Sequence, residues 1–211
     1  MADSSGGESI YGSNYEQMES LRQEVTASIA ALRDRICAET AFDPVEHCLS
    51  RLKSEESMRE KCRRQDLPET TRSALVDIHD SIGMRVVCAF RSDVYLVRDH
   101  LASMPGFEVV KEKDYIRNVK PNGYRSYHMI LRTNDGRAPV GCGEAEGFYV
   151  EVQLRTISMD TWAALEHHLK YKKEAPVNEK LIVDELKRCA DELASTDLSM
   201  QALRDLILED A

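Results

Sequence analysis

The sequence lacks the features that define several large classes of protein. No stretch approaches the length of about 20 apolar residues that a transmembrane helix requires, and the N-terminus has neither the basic nor the apolar region of a secretory signal peptide. The six cysteines include no CxxC pair and no Cys/His spacing typical of zinc sites, which favours free thiols in a reducing compartment. These absences predict a cytoplasmic protein.

Two common nucleotide-binding signatures are absent as well. There is no GxxxxGK[ST] loop, and the glycines of GCGEAEG at 141–147 precede a predicted strand instead of following one, which argues against a Rossmann site. The His79-Asp80 pair has no accompanying ligand set of a metal phosphohydrolase. A formal net charge of −9 disfavours a general nucleic-acid binder, although it is compatible with a local basic patch.

What the chain does contain is enough apolar sequence for one core. Its 211 residues are 42% hydrophobic, and apolar positions recur with helical or strand periodicity along most of the length. The predicted helices cover about residues 18–36, 51–64, 92–101 and 157–172, with two more after Pro176, and the predicted strands cover about 81–90, 107–116 and 148–155, with one that begins at Tyr124. This order predicts an α+β fold in which helices flank a mixed β-sheet and form N- and C-terminal arms.

The composition divides the chain into three parts. Residues 1–14 are rich in Ser and Gly and are expected to be disordered, 15–175 form the central domain, and 176–211 form C-terminal helices. The helix from Met18 is equally compatible with packing on its own domain and with a contact between subunits. The C-terminal helices are candidates for oligomerisation.

Two segments combine polar residues in a way that a core does not require. KPNGYRSYH at 120–128 is polar on both faces of a predicted strand, and Gly123 allows the backbone to approach a ligand closely. Tyr124 can either stack on a base or pack within the sheet. In RLKSEESMREKCRR at 51–64, helical spacing would place Lys53, Lys61 and Arg64 on one face, which is either solvated or a basic patch.

Two carboxylates complete this pattern. Asp80 precedes one core strand and Glu151 lies on the polar face of another, so the pair is suited either to Mg²⁺ with substrate phosphates or to ordinary salt bridges. Cations that could neutralise a polyphosphate are Arg51, Lys53, Lys61, Arg64, Arg85, Lys120, Arg125 and Arg155. Together these residues predict a nucleotide-phosphate site with a metal ion.

Several stretches, taken in order, resemble the synthetase domain of the RelA/SpoT family, especially its short single-domain members, the small alarmone synthetases. They are SRLK, SMREKCRR, DSIGMRVVCAF, KDYIRNVKPNGYRSYH, VEVQLRT and MDTWAALEHHLKYK, and they run from about residue 50 to 173. The resemblance implies a nucleotidyltransferase-like fold. It also implies transfer of pyrophosphate from ATP to the ribose 3′-hydroxyl of GDP or GTP, which yields ppGpp or pppGpp and AMP.

The resemblance also implies a role for each matching residue. Asp80 and Glu151 would hold Mg²⁺ and act in catalysis, with Glu151 a candidate for activating the acceptor hydroxyl. Tyr124 would stack on guanine, and Arg51 and Arg85 would sandwich adenine. The implied ATP contacts are Arg51, Lys53, Lys61, Arg64 and Arg85. The implied GDP or GTP contacts are Lys120, Tyr124, Arg125, His128, Gln153, Arg155, Asp160, Glu166 and His167.

The sequence departs from the family pattern in places, and alternatives stay open. Ser81-Ile82 follows Asp80 where Ile-Ala is common, Ser50 stands where glycine is frequent, and some relatives carry Asn in place of Asp160. The acceptor could therefore be GMP, GDP or GTP. One alternative is a toxic relative that modifies adenine nucleotides or the 3′ end of tRNA, and another is a non-catalytic nucleotide-binding module.

The resemblance extends to partners. The short relatives form tetramers through terminal helices, so we expect a homo-oligomer, whereas RNA is a less favoured substrate or regulator. No companion hydrolase domain or regulatory domain is expected, and no membrane partner.

Overall fold

The computed structural model describes residues 9–40, 42–170 and 178–209. The strands are β1 Val45–Leu52, β2 Ile82–Cys88, β3 Phe107–Asp114, β4 Tyr127–Thr133 and β5 Tyr149–Thr156. The α-helices are α1 Tyr15–Thr40, α2 Glu55–Arg64, α3 Arg91–Ala102, α4 Ile157–Lys170 and α5 Glu179–Glu209. The predicted α+β architecture with a mixed sheet is confirmed. None of the described helices is both long and apolar enough to cross a bilayer.

The sheet has the strand order β1-β2-β5-β4-β3. Only the central pair β2–β5 is parallel, and the other three pairs are antiparallel. Because side chains alternate between the two faces of a strand, the register aligns Met84, Val152 and Met129 on one face, where all three are buried. Glu151 and its neighbours lie on the opposite, polar face.

Helices α1 and α3 cover the apolar face. In α1, five apolar side chains recur at spacings of three and four residues and are at most 1% exposed: Met18, Leu21, Val25, Ile29 and Leu32. Each such side chain, when fully buried, contributes about 1.5–3 kcal/mol to folding. The apolar side of this helix therefore packs on its own domain.

The prediction that residues 1–14 are disordered is wrong for residues 9–14, while 1–8 lie outside the described residues. Ile10 and Tyr11 are buried, and Gly12–Asn14 form a 3₁₀ turn. The Asn14 side chain accepts a hydrogen bond from the backbone of Val140 and donates one back. Two apolar side chains and these bonds offset the cost of ordering a segment whose Ser/Gly composition alone indicated disorder.

The predicted helix over 51–64 begins later than expected. Arg51 still belongs to β1, where pairing with β2 satisfies its backbone, and Ser54 caps α2 by accepting a hydrogen bond from the Ser57 amide. Lys53 lies in the connection between β1 and α2, so it does not share a helical face with Lys61.

The predicted strand from Tyr124 also begins later, at Tyr127. Residues 121–126 form a loop in which the Asn122 side chain accepts a hydrogen bond from the Tyr124 amide, and Gly123 adopts a φ of 92° that disfavours other residues. The polar residues before β4 are therefore loop residues, and β4 itself alternates between buried and partly exposed positions.

The C-terminal part differs in two respects. Where two helices were predicted, the described residues form the single helix α5, and Pro176 lies outside them. In α4, Trp162 is buried as expected, but Leu165 and Leu169 are 57% and 59% exposed. The reason is that α5 covers only the side of α4 that carries Trp162.

Candidate active site

Two rows of cross-strand neighbours cross the polar face of the sheet. One row holds Gly83, Glu151, Ile130 and Lys111, on β2, β5, β4 and β3. The next row holds Arg85, Gln153, His128 and Lys113 on the same strands. Side chains directly opposite each other in such rows have Cβ atoms about 4.5–5.5 Å apart. The rows therefore place one central carboxylate among cations on both sides.

Asp80 lies two residues before β2, next to this centre. Its Oδ2 accepts hydrogen bonds from Lys53 Nζ and Lys61 Nζ, each at 2.6 Å. Burial alone would raise the pKa of Asp80, but the two lysine hydrogen bonds outweigh burial and hold the pKa below its usual value. Its other oxygen, Oδ1, is buried and has no hydrogen-bond partner among the described residues. Asp80 is thus a charged carboxylate with one oxygen left to bind something else.

Glu151 has the opposite electrostatic character. Burial, followed by repulsion from Asp80, raises the pKa of Glu151 above its usual value, although Lys61 and Lys53 oppose the shift. A divalent cation shared by the two carboxylates would remove this repulsion, and carboxylate oxygens are the ligands that hard cations prefer. The described residues include no group of three or more potential His, Cys, Asp or Glu ligands. The pair therefore fits a metal ion whose remaining ligands come from phosphates and water.

Two cavities meet at these carboxylates. The β1–β2 cavity has a volume of about 230 Å³, and its polar lining outside the carboxylates includes Arg51, Lys53, Arg85 and Gln153. The β3–β4 cavity has a volume of about 370 Å³, and its lining includes Lys61, Lys111, Lys113, Tyr115, Lys120 and His128. Asp80 and Glu151 line both cavities, and no other described residue does so. A group bound in one cavity would therefore face a group bound in the other across the carboxylate pair.

Tyr124 lies beside the β3–β4 cavity in a cluster of cations and rings. Its oxygen accepts a hydrogen bond from Arg155 Nη2 at 2.9 Å and lies 2.8 Å from His128 Nε2. Burial, and then the nearby Arg155 and Lys120, lowers the pKa of His128 to about 4, so the imidazole is neutral at pH 7. In the tautomer with the proton on Nδ1, His128 Nε2 accepts a hydrogen bond from the Tyr124 hydroxyl. Lys120 Nζ lies 4.7 Å from the centre of the Tyr124 ring. The hydroxyl is anchored, so the orientation of the ring is defined.

The other residues implied by the resemblance are placed in different ways. Arg155 is 5% exposed and donates to Asp160 Oδ1 at 2.9 Å, which orders both side chains beside Tyr124. On α4, Glu166 accepts a hydrogen bond from Asn122, and the rings of His167 and His168 are in contact. The implied residues that line neither cavity are Arg64, Tyr124, Arg125, Arg155, Asp160, Glu166 and His167. Of these, Arg64 is exposed on α2, and Arg125 is directed toward α5.

Sequence reasoning did not single out several cavity residues. Lys111 and Lys113 lie on β3 two positions apart, so they point to the same side, toward the β3–β4 cavity. Tyr115 follows them, and Lys120 Nζ lies 4.4 Å from its ring centre. The alternation of Lys111 and Lys113 was a usable signal, but edge strands commonly carry lysines for other reasons.

Residues 50–176 match the region found in RelA and SpoT proteins. The chain belongs to the RelA/SpoT family. The chain is 43% identical over 150 residues to the GTP pyrophosphokinase YwaC of Bacillus subtilis (strain 168), a match that covers 71% of this chain and 69% of the relative. It is 31% identical over 191 residues to the GTP pyrophosphokinase YjbM of the same organism, with 89% and 85% covered.

Solved structures of RelA/SpoT proteins extend the likeness beyond the matched region. The small alarmone synthetase 1 from Bacillus subtilis, bound to its product pppGpp, superposes with a TM-score of 0.73 at 29% identity over 90% of this chain and 94% of that chain. A GTP pyrophosphokinase family protein from Streptococcus pneumoniae gives a TM-score of 0.74 at 28% identity, with 94% and 96% covered. The resemblance inferred from the motifs, to the single-domain members of this family, is thereby confirmed.

Proposed function

We propose that this RelA/SpoT protein is a GTP pyrophosphokinase, which transfers pyrophosphate from ATP to the 3′-hydroxyl of GDP or GTP and releases AMP. The observation that carries the proposal is the meeting of two cation-lined cavities at Asp80 and Glu151. Transfer of this kind depends on aligning an attacking oxygen with a phosphorus atom and on stabilising negative charge. Relatives that are named GTP pyrophosphokinases, and a neighbour bound to its product pppGpp, support the same reaction.

In this proposal the donor ATP occupies the β1–β2 cavity. Arg51 and Arg85 lie on paired strands at its wall and would hold the adenine between their guanidinium planes. Lys53 and Lys61, both within hydrogen-bond distance of Asp80, would reach the donor phosphates. The small alarmone synthetase 1 from Bacillus subtilis bound to AMPCPP, similar at a TM-score of 0.66 and 25% identity, supports an adenosine triphosphate donor.

The acceptor would occupy the β3–β4 cavity. Lys111, Lys113 and Lys120 are suited to its 5′-phosphates, because they line one wall with positive charge. Tyr124 would stack on guanine. The residues proposed to surround the acceptor base and ribose are His128, which lines this cavity, its cross-strand neighbour Gln153, which lines the β1–β2 cavity, and Arg155, Asp160, Glu166 and His167, which line neither.

We propose Mg²⁺ as the metal ion, held by Asp80 Oδ1 and Glu151. When bound, it would supply positive charge to the donor phosphates. Glu151 would also take the proton of the acceptor hydroxyl, because its carboxylate lines both the cavity proposed for the donor and the cavity proposed for the acceptor. Lys53 and Lys61 are positioned to transfer their hydrogen bonds from Asp80 to phosphate oxygens.

The purified protein, incubated with ATP, Mg²⁺ and each of GMP, GDP and GTP, should release one AMP for each pyrophosphorylated guanosine product. Asp80→Asn should abolish this turnover, whereas Asp34→Asn, at an exposed position on α1, should not change it. If the protein modified only tRNA or adenine nucleotides, its acceptor would be one of these alternatives and not a guanosine nucleotide. Nucleotide binding without any AMP release would reject catalysis.

We also propose a cytoplasmic homo-oligomer, a tetramer, that forms through the terminal helices. The support comes from α5, where Leu198, Leu203, Leu206 and Ile207 are between 51% and 59% exposed. Light scattering should give four times the chain mass of 23.9 kDa, and a mass equal to that of one chain would reject the oligomer.

A further inference from the structure

Helix α5 lies directly against the loop 121–126 that carries Tyr124. The contact is made at Gly123, where a Cβ atom would lie 2.6 Å from Ala190 Cβ and 3.0 Å from Lys187 Cα. The glycine also has a φ of 92°, which side chains disfavour. The loop backbone and the helix therefore fit together without room for any side chain between them.

Arg125 ties the same loop to the same helix. Its Nη1 donates to the carbonyls of both Gly123 and Ala190 at 3.1 Å, and its Nη2 donates to Asp191 Oδ1 at 2.8 Å. The side chain is only 14% exposed. A single guanidinium thus bridges a loop carbonyl and a helix carbonyl, and it points away from the two cavities.

A third contact joins α5 to the ring of Tyr124. Trp162 on α4 donates from Nε1 to the Leu186 carbonyl at 2.8 Å, and its ring lies edge-on to the Tyr124 ring with centroids 6.3 Å apart. Removing α5 would therefore leave both the loop backbone and the tryptophan beside Tyr124 without their partners.

The far half of α5 is attached to the body of the domain. Asp197 accepts a hydrogen bond from Thr156, which is at the end of β5, at 2.5 Å. Arg204 forms an ion pair at 2.7 Å with Asp93, and both side chains are nearly buried. These attachments make α5 a brace between the sheet and the loop.

We propose that α5 positions the acceptor loop and that Arg125 is a positioning residue for the acceptor nucleotide, an inference that rests on the proposed function. No described residue of α5 lines either cavity, so any effect on the nucleotide is indirect. Without the Arg125 bridge, the loop would spend only part of its time with Tyr124 in the binding orientation. The apparent affinity for the acceptor would then fall in proportion to the fraction of time that the loop spends in this orientation. The affinity for ATP would not change.

The test compares Arg125→Ala, Arg125→Lys and Asp191→Asn with the wild type in steady-state kinetics. Arg125→Ala should raise KM for the acceptor about tenfold and leave KM for ATP within about twofold, because a lost charged bridge weakens only the acceptor loop. Arg125→Lys should restore part of the loss, and Asp191→Asn should show a smaller rise. The matched control is Arg188→Ala, because this exposed arginine of α5 bonds only to Glu185 and Glu192 of the same helix in the described structure.

The acceptor series separates positioning from direct contact. A positioning role predicts the same fold increase in KM for GMP, GDP and GTP, whichever of them turn over. If Arg125 gripped the acceptor phosphates instead, the increase would grow with each added phosphate, and the inference would be overturned. Equal rises in KM for ATP and acceptor, or a lower melting temperature with no change in either KM, would also overturn it.

Hydrogen exchange gives a readout that does not depend on turnover. The amides of residues 122–127 should exchange faster in Arg125→Ala than in the wild type or in Arg188→Ala, at an unchanged oligomeric mass by light scattering. If the wild type showed no turnover, the proposed function would be rejected. The hydrogen-exchange comparison would still test whether α5 braces the loop. Unchanged exchange in the loop would reject the brace even if the enzyme is active.

Discussion

The β1–β2 and β3–β4 cavities share two carboxylates but are built differently. The β1–β2 cavity draws its cations from Arg51, Lys53 and Arg85, which come from β1, β2 and the connection that leaves β1. The β3–β4 cavity is lined from β3, β4 and the loop between them, and also from α2, β5 and the segment before β2. Tyr124 at its side is held by β5, α4 and α5. The cations of the β1–β2 cavity thus come from two paired strands and their connection. The β3–β4 cavity, with Tyr124 at its side, depends on elements that are distant in the sequence.

The cations are also held differently. Lys53 of the β1–β2 cavity is bonded to a mostly buried carboxylate, whereas Lys120 of the β3–β4 cavity lies over the rings of Tyr115 and Tyr124. Breaking a buried ion pair by removing one partner costs about 3–5 kcal/mol, whereas a partly exposed cation–π contact contributes about 0.5–1 kcal/mol. Lys53, in the β1–β2 cavity, is therefore held more firmly than Lys120, in the β3–β4 cavity.

The largest effect is expected at the point that both cavities share. Glu151→Gln keeps the shape of the side chain but removes its charge and basicity, so kcat should fall about 10³-fold, within the range for losing a positioned base. Because the loss concerns the transition state, KM for both substrates should change much less. Glu56→Gln, at an exposed position on α2, is the control and should behave as the wild type in the same kinetics. Near-normal turnover in Glu151→Gln would show that Glu151 is not the catalytic base at the point where the two cavities meet.

The next test contrasts one lysine from each cavity. Lys53→Met should reduce kcat/KM for ATP by about 10²-fold, since it takes a charge from the pair with Asp80 and from the donor phosphates. Lys120→Met should raise KM for the acceptor about fivefold and leave ATP unaffected, in line with the smaller energy of its ring contacts. Steady-state kinetics with each substrate varied in turn would measure both. Similar losses in the two variants, for the same substrate, would show that the cavities are not distinct.

The smallest effect concerns the support beneath the β1–β2 cavity. The Tyr11 hydroxyl, on a residue that is 1% exposed, donates to the Lys53 carbonyl at 2.6 Å. Its loss in Tyr11→Phe should raise KM for ATP about threefold, consistent with one net hydrogen bond, and leave the acceptor KM unchanged. The matched control is Tyr127→Phe, since Tyr127 is also buried and donates to Glu112 at 2.7 Å. If both variants changed KM for ATP equally, Tyr11 would have no specific role in the β1–β2 cavity.

Local patterns were sufficient for most elements of the fold, but they did not predict β1 or the single helix α5. The three- and four-residue spacing of Met18, Leu21 and Val25 predicted α1, and the alternation of β5 predicted its buried and polar faces, because burial imposes these periods on any sequence. The same alternation placed Glu151 on a polar face, and the position of Asp80 just before a buried strand predicted a carboxylate at the sheet edge. The family motifs then carried the roles of single residues.

The sequence by itself therefore determined most of the helices, four of the five strands, the two carboxylates and the family, but not β1 or the continuity of α5. Only the tertiary structure decided which residues act together, because register and helix docking depend on packing between distant segments. The pairing of β2 with β5 brings Glu151 to Asp80, and the docking of α5 turns Arg125 away from the cavities. Neither neighbour can be read from spacing along the chain, since each is selected by how the whole domain buries its apolar surface.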